Sequence, residues 1–153
     1  MITIVRRILI GMLGASLTLC AADLLSGTWK LNTAKSKYSP GPAPKSLTVT
    51  YSMDGDWVVA KSEGVSAEGK PTSSSNRYKF DGKEYPYKTA TIEGMISVKR
   101  IDDRHSEAAI KGGKGHTTSK VVISKDGKTR TMTTTGTNAE GKAVSNVAVY
   151  DKQ

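Results

Sequence analysis

The chain is short of the residues that most active sites and most cores use: one cysteine, two histidines, one phenylalanine and two tryptophans among 153 residues. The lone Cys20 excludes an intramolecular disulfide, so stability has to come from backbone pairing and apolar burial. His105 and His116 flank Gly112-Gly113 without His-x-His spacing, and a tight turn there pairs each with a different partner, so no metal site is expected. Gly112 to Thr118 has the composition of a phosphate loop but neither its spacing nor a following helix. No Gly-x-Ser-x-Gly elbow accompanies the many serines, and the adjacent Asp102 and Asp103 point apart and cannot share a proton. Nothing in the chain calls for a cofactor, and the expectation is a protein that is not an enzyme.

Helical periodicity is also missing. After residue 22 no window holds an apolar 3.6-residue repeat for three turns. The formal charge of +9 is dispersed, with lysines such as Lys70, Lys83, Lys125, Lys128 and Lys142 beside turn residues. A nucleic-acid surface needs clustered cations interleaved with aromatics on one face, and no such cluster exists.

What is present begins with a leader. Arg6 and Arg7 precede an apolar run from Ile8 to Leu19, and small residues follow to Ala22. This is the layout of an export signal, with a run too short for a permanent transmembrane helix. Cleavage after Ala22 divides the chain into a signal peptide, 1–22, and one domain, 23–153, that is secreted or periplasmic. A competing reading takes Leu17-Thr18-Leu19-Cys20 as a degenerate lipobox with Cys20 lipidated; Leu19, where a small residue belongs, argues against it. Contact with a membrane is therefore expected only through the signal or, as the minority alternative, through a lipid on Cys20.

Downstream, acid-Gly pairs recur at Asp54-Gly55, Glu68-Gly69, Asp81-Gly82, Glu93-Gly94, Asp126-Gly127 and Glu140-Gly141, joined by Asp102-Asp103 and Gly112-Gly113. Such pairs supply hairpin turns. They divide the chain into about ten strands: 27–32, 46–53, 56–65, 72–80, 85–92, 95–101, 105–111, 116–124, 128–137 and 143–151. A meander of that width must close or curl, which predicts an all-β, antiparallel up-and-down barrel. Between the first two strands, Pro40, Pro42 and Pro44 predict a stiff extended connection without helix.

Alternation gives candidate interior residues. Leu47, Val49, Tyr51 and Met53 share a face of the second strand, while Ile96 and Val98 share one with Arg100, the most plausible of the charges to point inward, for which a surface or rim position is nevertheless the favoured reading. Thr129 to Thr135 is nearly all threonine on one face, with Arg130 and Met132 on the other. The last strand is apolar on both faces.

Gly27-Thr28-Trp29 at the head of such a chain resembles the opening strand of the calycins, the lipocalins and fatty-acid-binding proteins. The resemblance implies that Trp29 plugs one barrel end. The closing Val149-Tyr150-Asp151-Lys152 is similar to the Arg-x-Tyr strand with which fatty-acid-binding proteins hold a lipid carboxylate, but Ala148 stands in place of the Arg. The run Gly27 to Asn32 followed by Lys35 to Pro42 is also similar to small secreted bacterial proteins called lipocalin-like. These likenesses imply a small apolar or amphipathic ligand, with Tyr51, Tyr150 and Arg100 as candidate ligand-binding residues. The alternative is a filled barrel acting through its exterior as an envelope-surface or protein-interaction module. The scarcity of large side chains fits either.

Intact-mass analysis of the exported protein is expected to give a chain beginning at Asp23. Retention of a diacylated Cys20 is the contrary result.

Overall fold

Strand-length alternation bounded by turn residues produces the predicted number of elements. The computed structural model describes residues 23–153; the expected signal peptide, with Cys20, lies outside the described residues. The strands are β1 (Gly27–Leu31), β2 (Ser46–Asp54), β3 (Trp57–Val65), β4 (Pro71–Tyr78), β5 (Asp81–Lys88), β6 (Glu93–Arg100), β7 (His105–Gly112), β8 (Gly115–Ile123), β9 (Thr129–Thr137) and β10 (Ala143–Lys152). No helix occurs among the described residues.

All ten form one antiparallel sheet in the order β4-β3-β2-β1-β10-β9-β8-β7-β6-β5. The first and last strands meet in its middle, with Trp29 opposite Lys152 and Leu31 opposite Tyr150. The sheet curls into a barrel whose two edges, β4 and β5, face each other without a ladder of hydrogen bonds.

Two of the expected turns are therefore not turns. Asp81-Gly82 opens β5, and the positive φ of Gly82 falls within a register break between Asp81 and Glu84 instead of a hairpin. Glu93-Gly94 lies inside β6, and the chain reverses earlier, where the Thr89 hydroxyl accepts from the backbone N–H groups of Thr91 and Ile92. Gly94 is required for a different reason: a Cβ there would overlap the carbonyl oxygen of Lys111 on β7. Gly64 and Gly136 make equally close approaches, to the Ser46 and His116 carbonyl oxygens. Each of the three lies one residue in from a strand end.

The connection 33–45 is free of helix, as its prolines predict. Part of it pairs: Lys37 and Val147 exchange backbone hydrogen bonds of 2.8 and 2.7 Å, and the Ser145 N–H donates to the Ser39 carbonyl at 2.8 Å. This prolongs the edge of β1 along β10 and brings Tyr38 against the core.

Trp29 is fully buried, and its indole N–H donates to the Leu25 carbonyl at 2.7 Å. Lys152 covers the ring at 5.0 Å and donates to the Leu24 carbonyl at 3.0 Å, sealing that end. All six tyrosines lie in the core or pack against it. Each buried ring contributes about 1.5–3 kcal/mol, so phenols supply the volume that the missing phenylalanines do not.

Gly94→Ala is expected to destabilise the domain by about 2–4 kcal/mol, because backbone must move to admit one methyl group. Urea unfolding measures it; a loss under about 0.5 kcal/mol, the ordinary surface-mutation range, would contradict the close packing.

Candidate functional site

Parity along the strands sends Tyr51, Tyr150 and Arg130 into the barrel together. Tyr150 of β10 is the direct cross-strand partner of Arg130 on β9. The guanidinium carbon lies 5.2 Å from the ring centroids of both Tyr51 and Tyr150. Arg130 is only 6% exposed, Tyr51 8% and Tyr150 3%. Among the described residues no carboxylate pairs with Arg130, and its buried Nε has no hydrogen-bond partner. One terminal nitrogen approaches the Met132 sulfur at 3.9 Å, a weak contact.

Desolvation opposes the Arg130 charge, and the phenols of Tyr51, Tyr150 and Tyr78 more than offset it, holding the guanidinium above its ordinary value. It is a cation at every pH at which the fold exists. Burial likewise pushes the Tyr78 and Tyr150 phenols well up, and that of Tyr87 up to about 12. The centre is thus one permanent positive charge among neutral hydroxyl-bearing rings. Hydroxyl pairs line the wall further along: Ser62 with Ser74, and Ser119 with Thr134, each at 2.7 Å.

Arg100 is placed elsewhere. It shares the parity of Ile96 and Val98 but ends β6, where it pairs with Asp23 at 2.8 Å and stacks on Phe80 at 4.0 Å. Its side chain is 36% exposed. Arg100 thus takes the rim position favoured for it, and its candidacy as the inward charge is corrected: the interior cation is Arg130, and Arg100 closes the same end of the barrel as Trp29. The place left by Ala148 is filled from the neighbouring strand, since Ala148 itself, 1% exposed, pairs with Met132, two residues from Arg130.

At the seam between β4 and β5, the buried Asn76 acts as a substitute peptide group. Its amide nitrogen donates to the Lys88 carbonyl at 3.0 Å, and its amide oxygen accepts the Lys88 N–H at 2.8 Å. Outside the seam lies a surface cleft of about 490 Å³, lined among others by Trp57, Tyr85 and Tyr87. The histidines do not meet, His105 lying opposite Val122 and His116 opposite Lys111.

Barrels of this shape are known. Over 85% of this chain and 96% of the other, the structure is similar to a Schistosoma mansoni fatty-acid-binding protein solved in complex with arachidonic acid, with a TM-score of 0.58 and 19% identity. It is also similar to the fluorescent protein UnaG, with a TM-score of 0.57 and 19% identity over 84% and 96% of the two chains. A zebrafish ileal bile-acid-binding protein complexed with cholic acid matches with a TM-score of 0.53 and 18% identity over 85% and 99%. These likenesses define the fold class, a calycin barrel of the fatty-acid-binding-protein shape. No protein-family model matches the sequence, and no curated protein does.

The raised phenols predict alkaline instability. A group whose folded pKa exceeds its unfolded value stabilises the protein fully below the unfolded pKa and loses that contribution as pH climbs. For tyrosine the loss begins near pH 10 and continues to about 12 for Tyr87, with Tyr78 and Tyr150 still resisting. Phenolate absorbance and far-ultraviolet circular dichroism are expected to change together across that window. Full ionisation of the tyrosines near pH 10 with the sheet intact is the opposite outcome.

Proposed function

We propose that this domain is an exported, lipocalin-like carrier that binds a small amphipathic molecule bearing one anionic end, and that it performs no catalysis. The observation that carries this reading is Arg130, a buried guanidinium with an orphaned Nε and no carboxylate among the described residues. Leaving a charge buried and unpaired costs several kcal/mol, and an incoming carboxylate, sulfonate or phosphate would remove that cost. Tyr51 and Tyr150 flank the cation and offer hydroxyls to the same group, while Val49, Ile96 and Ala148 supply apolar wall. Support from known structures is the ligand-binding character of the barrels it resembles, one solved with arachidonic acid and another with cholic acid.

A second reading has its own observation. The rings and the guanidinium are packed to within a few per cent of full burial, and the seam cleft reaches neither Tyr51 nor Tyr150. A filled barrel of this kind acts through its exterior, as an envelope-surface or protein-interaction module.

A dansyl-labelled undecanoic acid and the corresponding uncharged alcohol separate the two. The acid is expected to bind with about micromolar affinity and the alcohol at least about tenfold more weakly. Arg130→Met should abolish the difference while leaving the urea midpoint unchanged or higher, since replacing a buried ion by an apolar side chain of similar size is often stabilising. Tyr51→Ala and Tyr150→Ala should weaken the acid, and charge reversal at the exposed Lys70 or Lys125 should not. Absence of saturable binding by either compound would leave the filled-barrel module as the function.

A further inference from the structure

Arg130 is the one buried cation among the described residues, a ligand for it needs a route, and the sheet has one weak line. Between β4 and β5 the hydrogen bonds among the described residues are the two made by the Asn76 side chain to the backbone of Lys88. A side chain can swing away from a strand; a ladder cannot without unfolding. Since Lys88 turns both its N–H and its carbonyl to the seam, strand alternation turns the backbone of Pro86 the same way, and Pro86 has no N–H to offer. The edge is built so that β4 does not zip onto it.

The two sides of this line are already joined by one residue. Tyr87 lines the outer cleft and also packs against the core, close enough to Arg130 and Tyr51 for their charges to bear on its ionisation. The cleft floor is aromatic: Trp57 meets Tyr85 edge to face at 5.2 Å. Cations stand over it, Arg77 at 5.1 Å and Lys79 at 4.9 Å from the Trp57 ring centre. Arg77 is paired with Asp54 at 2.7 Å and Lys88 with Glu93 at 3.0 Å, so the aromatic floor suits the apolar body of the same class of molecule, with Lys79 beside Trp57 as the cation nearest its anionic end.

We infer that the β4–β5 seam is the ligand's way into the barrel, with the Trp57–Tyr85 cleft as its first binding station and the Asn76 amide as a latch that releases Lys88 when the ligand passes. This rests on the proposed binding of an anion at Arg130. Asn76 is a positioning residue for the seam and need not touch the bound ligand. A latch alters the height of the barrier between free and bound states and leaves their difference alone, so it appears in rates and not in affinity.

The test uses the reversibly bridged variant Ser75→Cys/Lys88→Cys, which keeps Pro86 and the Lys88 backbone groups held by Asn76, in a Cys20→Ser background where the two new thiols are the only ones in the chain. Both positions are exposed and border the cleft. A bis-methanethiosulfonate reagent ties the seam shut and a reductant frees it, so one folded protein serves as its own control. Stopped-flow mixing with dansyl-undecanoic acid is expected to show association and dissociation each slowed about tenfold or more by the bridge, with Kd unchanged and full recovery on reduction. Asn76→Ala should quicken both rates. Rates indifferent to the bridge would overturn the seam as the route while leaving binding at Arg130 in place. Failure of the unbridged protein to bind at all would sink the binding reading, and this inference with it.

Discussion

Arg130 is the residue on which the arrangement of the interior depends. A guanidinium cannot shed its proton to escape a dry environment, so burial has to be offset by its surroundings. Two aromatic faces at 5.2 Å each contribute about 0.5–2 kcal/mol, against a desolvation cost of several kcal/mol per ion. The hydrogen-bonding capacity of the guanidinium is not used up, as the unpartnered Nε shows directly. That balance explains why the aromatic complement is tyrosine and hardly any phenylalanine. A phenol gives the same quadrupole face and a hydroxyl that reaches polar neighbours in a barrel whose walls also carry paired serines and threonines.

The second constraint is geometric. Ten strands in sequence order cannot all pair with both neighbours unless the last ladder closes, and here the unclosed one falls between β4 and β5. Unpaired edges invite other chains. This pair of edges is managed by facing inward on each other, by Pro86, by a side-chain amide standing in for one peptide, and by aromatic and cationic groups laid over the gap. The opposite end is sealed by different means, with Trp29, Lys152 and the Asp23–Arg100 ion pair acting as one plug.

Strand number, antiparallel order, the helix-free connection and the inward placement of Tyr51 were legible, because turn residues and period-two alternation are local signals; the last strand is apolar on both faces, so alternation left Tyr150 unassigned and only the resemblance singled it out. Asp81-Gly82 and Glu93-Gly94 misled for a physical reason: glycine serves a turn, a bulge and a close backbone approach alike, and only the neighbouring strand distinguishes them. Arg100 stayed a candidate because parity gives the face of a strand and not the depth along the barrel axis. Arg130 could have been found. Pairing residues outward from the Glu140-Gly141 turn places it opposite Tyr150, on the face that threonine leaves free. Asn76 could not, since its role depends on β5 being unpaired beside it, a fact about the whole sheet. The cleavage site expected after Ala22 lies outside the described residues.

The strand order has a kinetic side. Each ladder joins strands adjacent in the chain except the one between β1 and β10, so the sheet is two meanders, β1–β4 and β5–β10, welded where the first strand meets the last. Each meander can form from near-neighbour contacts, but neither encloses a core. Loop-closure entropy over more than a hundred residues must be overcome before Leu31 reaches Tyr150, and the short β1 has little ladder with which to repay it. Folding is thereby made to wait for the final strand. Until β10 is in place the chain remains a pair of half-sheets with Tyr51 on one and Arg130 on the other, so the charged centre comes into being only when the barrel does.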